Sequence, residues 1–287
     1  MKKFELTTES IETVSGEKLF RIKALVSFDA VEAGELGGYV EKEENLSHEG
    51  NAWVYGNARV YGNAWVYGNA RVYGDAWVYG NARVYGNAQV YGNAQVCGDA
   101  RVYGDAWVYG NAWVYGNARV YGNAWVCGNA QVYGNAQVYG NARVYGDAWV
   151  YGNARVYGDA WVYGNARVYG DAWVYGNAWV YDNAQVYGNE QVYGNAQVCG
   201  DADIYDNSQK SSVDGFGSEN RTTTFFREKS GGVGVKCGCF YGTLDEFREK
   251  VRKTHGDSEI AQEYLAIADV EERRFKRVAK KGDSRCI

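Results

Sequence analysis

Cys237-Gly238-Cys239 puts two thiols on one side of a short strand, and His255 and Cys286 complete the donor types of a Cys3His zinc site. The pattern is weak as a metal motif: paired zinc cysteines are usually separated by two residues, and the other two ligands are distant in sequence. Thiols packed as small hydrophobes account for it better, and no metal or cofactor is expected. His48 and His255 are the only histidines, so acid–base chemistry at neutral pH has little to work with. Cys97, Cys127 and Cys199 recur inside a repeat at spacings that set no two of them side by side, which suits neither a disulfide nor a metal. Glu190 stands where every neighbouring repeat has Ala. It is expected to sit in a loosened, wet last coil, with a buried functional carboxylate as the alternative.

Binding chemistry is richer than catalytic chemistry. Residues 50–80 read GNAWVYGNARVYGNAWVYGNARVYGDAWVYG, a hexad G-[N/D]-A-x-V-Y in which only x varies, among Trp, Arg and Gln. If three hexads close a coil of 18 residues, x sorts into three ladders. One contains Trp107, Trp125, Arg143, Trp161 and Trp179 on five successive coils. This broad, rigid, amphipathic row resembles the centre of a protein-binding surface. Another stacks Arg83, Arg101 and Arg119, with Arg155 beyond Gln137, as a patch for an anion or an acidic partner. Like charges about 5 Å apart repel unless compensated, and Asp99 and Asp105 are the nearest candidates in sequence. The plain alternatives are that the ladders record repeat duplication, or that the side chains stack to shield the sheet.

These residues need a scaffold, and the hexad supplies one. A period of six fits neither a helix nor a simple alternating strand; it fits a solenoid with one short strand and one corner per hexad. Side chains alternate along A-x-V-Y, so Ala and Val face inward while x and Tyr face outward. Gly-[N/D] makes the corner, where positive φ is tolerated. Residues 50–205 are 26 uninterrupted hexads, carrying 10 acids and 8 arginines. At about 4.8 Å per coil, 8.7 coils would span roughly 40 Å. Residues 1–49 form an N-terminal β cap, with a hairpin turning at Ser15-Gly16. Residues 206–287 form a small α+β module: a hairpin across KSGG, then a helix with the Thr243/Glu246 capping box and a second helix from about residue 257.

Composition excludes several classes. The chain has 287 residues, 38 Gly, 26 Tyr, 10 Trp and no Pro; such aromatic content argues against disorder. A net charge of −5 points to neither nucleic acid nor membrane as partner, and there is no apolar run long enough to span a bilayer. MKKFELTTES lacks a signal-peptide core, so a cytoplasmic protein with reduced thiols is expected.

The V-Y-G-N-A-x pattern, an aliphatic residue followed four positions later by a small one, resembles the hexapeptide-repeat left-handed β-helix superfamily. The resemblance implies a mainly β fold, a single-stranded left-handed parallel β-helix of triangular coils, capped at its N-terminus and carrying the C-terminal module. Many relatives are acyltransferases with a histidine base and a loop projecting from the helix. Here no loop interrupts the hexads, so the acyltransferase reading is the lesser one and a non-enzymatic protein is expected. FRIKALVSFDAVEAGELGGYV and KCGCFYGTLDEFREKVRKTHGDSEIAQEYL look like the flanks of phage- and prophage-borne repeat proteins of mostly unassigned function. That resemblance implies a phage accessory factor in the host cytoplasm, binding and inhibiting a host or defence protein. A self-assembling homo-oligomeric scaffold is the alternative.

Overall fold

The computed structural model describes residues 1–283, with side chains described to residue 277. It is a mainly β parallel solenoid of about nine turns with a small helix-and-sheet module at its C-terminal end. Strands β1 (Phe4–Glu12) and β2 (Lys18–Ala24) form the antiparallel hairpin at Ser15-Gly16. Strand β3 (Leu36–Val40) turns the chain into the solenoid: it pairs antiparallel with β2 and parallel with the second hexad, Tyr39 opposite Arg59 and Val40 opposite Val60. The parallel ladder thus begins before the first GNAxVY.

Each hexad then contributes one two-residue strand, from β4 (Trp53–Val54) to β29 (Asp203–Ile204). Every third strand is a neighbour, giving three parallel sheets. Sheet one runs from β4 to β28 (Gln197–Val198), sheet two continues from the hairpin to β29, and sheet three runs from β6 (Trp65–Val66) to β27 (Gln191–Val192). Backbone donors reach one coil onward. In the middle of the chain, the N–H groups of Trp125, Cys127 and Asn129 donate to the carbonyls of Ala142, Val144 and Gly146 at 2.9, 3.0 and 2.8 Å.

The Ala and Val side chains of the regular hexads are buried in one continuous core. Stacking valines in register gives each methyl pair a copy of itself above and below, so burial needs no side-chain variety. The corner explains the recurring glycine. Gly104 has φ +71, and a Cβ there would meet the Gly122 nitrogen at 3.0 Å on the next coil. Conformation and close approach both disfavour a side chain. Asp182 takes the same positive φ (57°) without a break in the ladder, and its carboxylate accepts the Gly200 N–H at 3.2 Å.

Both ends are closed. At the N-terminal end Phe4, Ile22 and Leu46 join the core, and Lys3 donates its ammonium to the carbonyls of Gly50 (3.2 Å) and Ala52 (2.8 Å). At the other end the module's sheet, β30 (Lys210–Phe216) to β33 (Phe240–Thr243), packs Phe226 into the solenoid core. Helices α1 (Leu244–His255) and α2 (Glu259–Asp283) cover that sheet. Helix α1 has the reciprocal Thr243/Glu246 cap and buries Leu244, Phe247 and Val251. The inward face of α2 is Ala261, Tyr264, Ala268 and Phe275, with Ile260 and Ile267 only partly covered.

Candidate functional site

The coil of 18 residues brings the x side chains into three columns. On sheet one, Trp107 pairs with Trp125, Trp125 with Arg143, Arg143 with Trp161, and Trp161 with Trp179. These five form an unbroken stack. The indoles of Trp107 and Trp125 lie 5.4 Å apart at 9°, and those of Trp161 and Trp179 lie 5.1 Å apart at 6°. The Arg143 guanidinium sits between the two pairs, 4.7 Å from the Trp125 ring and 5.0 Å from the Trp161 ring. Tyr109, Tyr145 and Tyr163 meet the indoles edge-on. All five side chains are half-buried, so the row is rigid before any partner arrives.

The other end of this ladder differs. Trp53 is fully buried beneath Phe4 and Phe28, which meet it edge-on, and its indole N–H has no partner. The most exposed indoles belong to Trp65 (41%) on sheet three and Trp113 (43%) on sheet two, outside the five-coil row.

Most other x side chains have local partners. Gln89, Gln95, Gln131, Gln137, Gln185 and Gln191 each accept the phenol O–H of the tyrosine sixteen residues earlier, at 2.8–3.3 Å. Arg59, Arg155 and Arg167 lie over Trp77, Trp173 and Trp149, each at 4.9 Å, and Arg71 is paired with Asp29. Arg83, Arg101 and Arg119 are the exception. They are exposed, stack in direct register, and have no carboxylate within ion-pair distance among the described residues. Asp99 and Asp105 do not compensate them, because their carboxylates accept the side-chain amides of Asn81 (3.0 Å) and Asn87 (2.9 Å) at the corners. Arg155 is separated from the other three by the Gln137 rung and lies over Trp173 on the next coil.

Two periodic features flank the columns. Tyrosines stack on the next coil at centroid distances near 4.8 Å, as for Tyr103 on Tyr121. Cys97, Cys127 and Cys199 interrupt these stacks, and burial is the main cause pushing their thiols up, Cys199 to about 11. Corner asparagines form amide ladders such as Asn93 to Asn111 to Asn129 to Asp147, donating at 3.1, 3.0 and 2.8 Å. Asp accepts but cannot donate, so a ladder that meets an Asp stops there. Turn chemistry alone accounts for the N/D letter within one hexad; its stacking follows only from the coil length.

In the module, Cys237, Cys239 and His255 line one cavity of about 190 Å³ with Phe247 and Tyr264. Cys237 accepts the Thr223 hydroxyl at 3.1 Å, and His255 stacks on Tyr264. No three His, Cys, Asp or Glu side chains among the described residues are arranged to hold a metal ion, and Cys286 lies outside the described residues. His48 stacks on Phe4 at 4.3 Å and accepts the Lys3 N–H, a packing role at the N-terminal closure.

Glu190 corrects an expectation. The last coil is not wet or frayed: Glu190 is fully buried, and neither carboxyl oxygen has a hydrogen-bond partner. The module supplies the reason. Phe226 closes the lumen, Gln197 donates its N–H to Thr224, and Ala202 bridges Glu228. Burial pushes the Glu190 carboxyl up to about 7, against a smaller pull down from Lys210. Beside it, Lys210 and Arg274 line a polar cavity that reading the sequence did not anticipate. The only signal was Glu190 itself, an acid in an Ala column just before the periodicity ends.

A family model described as the YdcK beta solenoid repeat matches eight segments of the chain: 52–68, 64–80, 76–92, 94–110, 112–128, 136–152, 148–164 and 160–176. All of them fall within the hexads, so the likeness concerns the repeat. No curated protein matches the chain.

Proposed function

We propose that this chain is a non-enzymatic solenoid that binds a partner protein through the sheet-one row Trp107, Trp125, Arg143, Trp161 and Trp179. The observation that carries this reading is the unbroken stack of four indoles around one guanidinium on five successive coils. Such a row loses little side-chain entropy on binding, because its rotamers are already held by neighbours. Trp and Arg are also the residues that most often dominate interface energies. The three free arginines on sheet three give the same partner a second contact, suited to an acidic segment.

In the same reading the solenoid is a left-handed, three-sided member of the hexapeptide-repeat superfamily. It is a phage accessory factor that acts in the host cytoplasm by holding and inhibiting a host or defence protein. The hexad, the coil of 18 residues and the resemblance of the flanking segments support that view.

Replacing Trp107, Trp125, Trp161 and Trp179 together with Gln tests it. Gln is already accommodated at x, where it accepts a tyrosine hydroxyl, so the coil should persist by circular dichroism. Affinity capture from the host cell should then lose the partner seen with the unaltered chain. Unchanged partners together with unchanged oligomeric mass would remove the row from the interface. A fall in mass alone would identify a second copy of this chain as the occupant, making the protein a self-assembling scaffold.

A further inference from the structure

We infer that the seam between the last coil and the C-terminal module is a binding site for a small phosphate monoester. This site is independent of the tryptophan row: it lies on other elements and uses other chemistry. A cavity of about 570 Å³ opens there, lined by Lys210, Arg274, Ser211, Ser212, Asn195 and Asp214 among others. That volume lies in the range of small-molecule pockets and is far larger than a bare ion requires.

Four observations give the site its chemical character. Lys210 is nine-tenths buried at the start of β30 yet lines the cavity, and its ammonium lies 4.8 Å from the ring of Tyr193, another lining residue. Arg274 is held in place: it pairs with Glu271 at 3.3 Å and donates to the carbonyls of Lys210 at 2.7 Å and Asn207 at 3.4 Å. Ser212 has a buried hydroxyl with no partner on the same wall. Glu190 is buried close enough for its charge to act on Lys210, yet the two form no ion pair within 4 Å. A lysine kept solely to neutralise Glu190 would be expected to contact it. The charged groups acting on Glu190 are Lys210, Asp206 and Arg274.

Two cations and the unpartnered Ser212 hydroxyl on one pocket match a phosphate group, which accepts several charge-assisted hydrogen bonds at once; the Ser211 hydroxyl is already given to Glu271 at 2.8 Å. Asp214 and Asn195 supply acceptors and an amide for the hydroxyls of an attached sugar. The ligand class is therefore a phosphorylated sugar, free or carrying a base.

Local geometry marks the same place. The tyrosine column ends at Tyr193, which stacks on Tyr175 at 5.5 Å and 19° and is 52% exposed, and a Cβ on Gly194 would meet nothing within 4 Å. The outer tyrosine layer of this sheet ends here, beside the buried charges, while the strand below stays in register with Trp173 and Val174.

Titration calorimetry of the full chain with AMP and with glucose 6-phosphate tests the inference, with adenosine and glucose as the phosphate-free arms. At least one ester should bind at millimolar concentration or tighter, while its phosphate-free counterpart should not. Lys210→Met should weaken ester binding about tenfold or more, corresponding to roughly 1.4 kcal/mol, and Lys210→Arg should retain most of it. If Lys210→Met fails to fold, Arg274→Gln gives the same reading. The inference is overturned if neither ester binds, if adenosine or glucose binds as well as its ester, or if variants that fold bind like the parent chain. Binding by AMP alone or by glucose 6-phosphate alone sustains it and identifies whether a base is required.

Discussion

The middle of the solenoid and its last coil are built from the same hexad, but they solve different problems. Around Val126 each side chain is met by the residue at the same repeat position one coil away: Val108 and Val144 in the lumen, Asn111 and Asp147 at the corner, Trp107 and Arg143 outside. At Glu190 the copies run out, and residues from a non-repeating module take over: Phe226 in the core, Lys210 and Arg274 around the carboxyl. Periodicity supplies satisfaction without variety in the first region. In the second, heterologous contacts leave polar groups unpaired, and the seam cavity lies there.

Placing a carboxylate in the regular lumen should break the contrast most forcefully. Val126→Asp puts an uncompensated charge among fully buried valines, where a cost of about 4 kcal/mol or more is expected. The variant should lose its cooperative melting transition or melt far below the parent. Stability close to that of the parent would mean that the lumen is wetter than its packing indicates.

Removing the natural carboxylate is the converse experiment. Glu190 titrates near 7 in the fold and near 4.5 when unfolded, so the folded state holds the proton more tightly. Its ionisation therefore costs nothing below the unfolded value, and the cost grows between pH 4.5 and about 7. Glu190→Ala, which restores the consensus letter, should stabilise the chain more at pH 8 than at pH 4, by about 3 kcal/mol. Denaturant melts at the two pH values measure that difference. An equal effect at both would show that the carboxyl is not held neutral by burial.

The smallest effect belongs to the corners. Asn129 accepts from Asn111 and donates to Asp147 across exposed rungs. Asn129→Ala should cost about 0.5–1.5 kcal/mol by thermal melt, well below either lumen change. A larger loss would give the amide ladders a bigger share in holding coils together.

The period of six was enough to assign inside, outside and corner, and three hexads per coil put Trp125 next to Arg143. The capping box at Thr243 was legible for the same reason, since its partners are three residues apart. Long-range neighbours were not. Trp53 carries the same letter as Trp107 but is buried, because Phe4 and Phe28 fold back over it. Asp99 adjoins Arg101 in sequence, yet its carboxylate is held by Asn81 on the preceding coil. Glu190 looked like a sign of fraying because its lid, Phe226, comes from a segment without a repeat.

The claim that the sheet-one row is the interface can be tested without mutation. Hydroxyl-radical footprinting of the isolated complex should show Trp107, Trp125, Trp161 and Trp179 protected relative to the free chain, while Trp113 on sheet two keeps its reactivity. Protection of Trp65 or Trp113, with the four row tryptophans as reactive as in the free chain, would contradict the account.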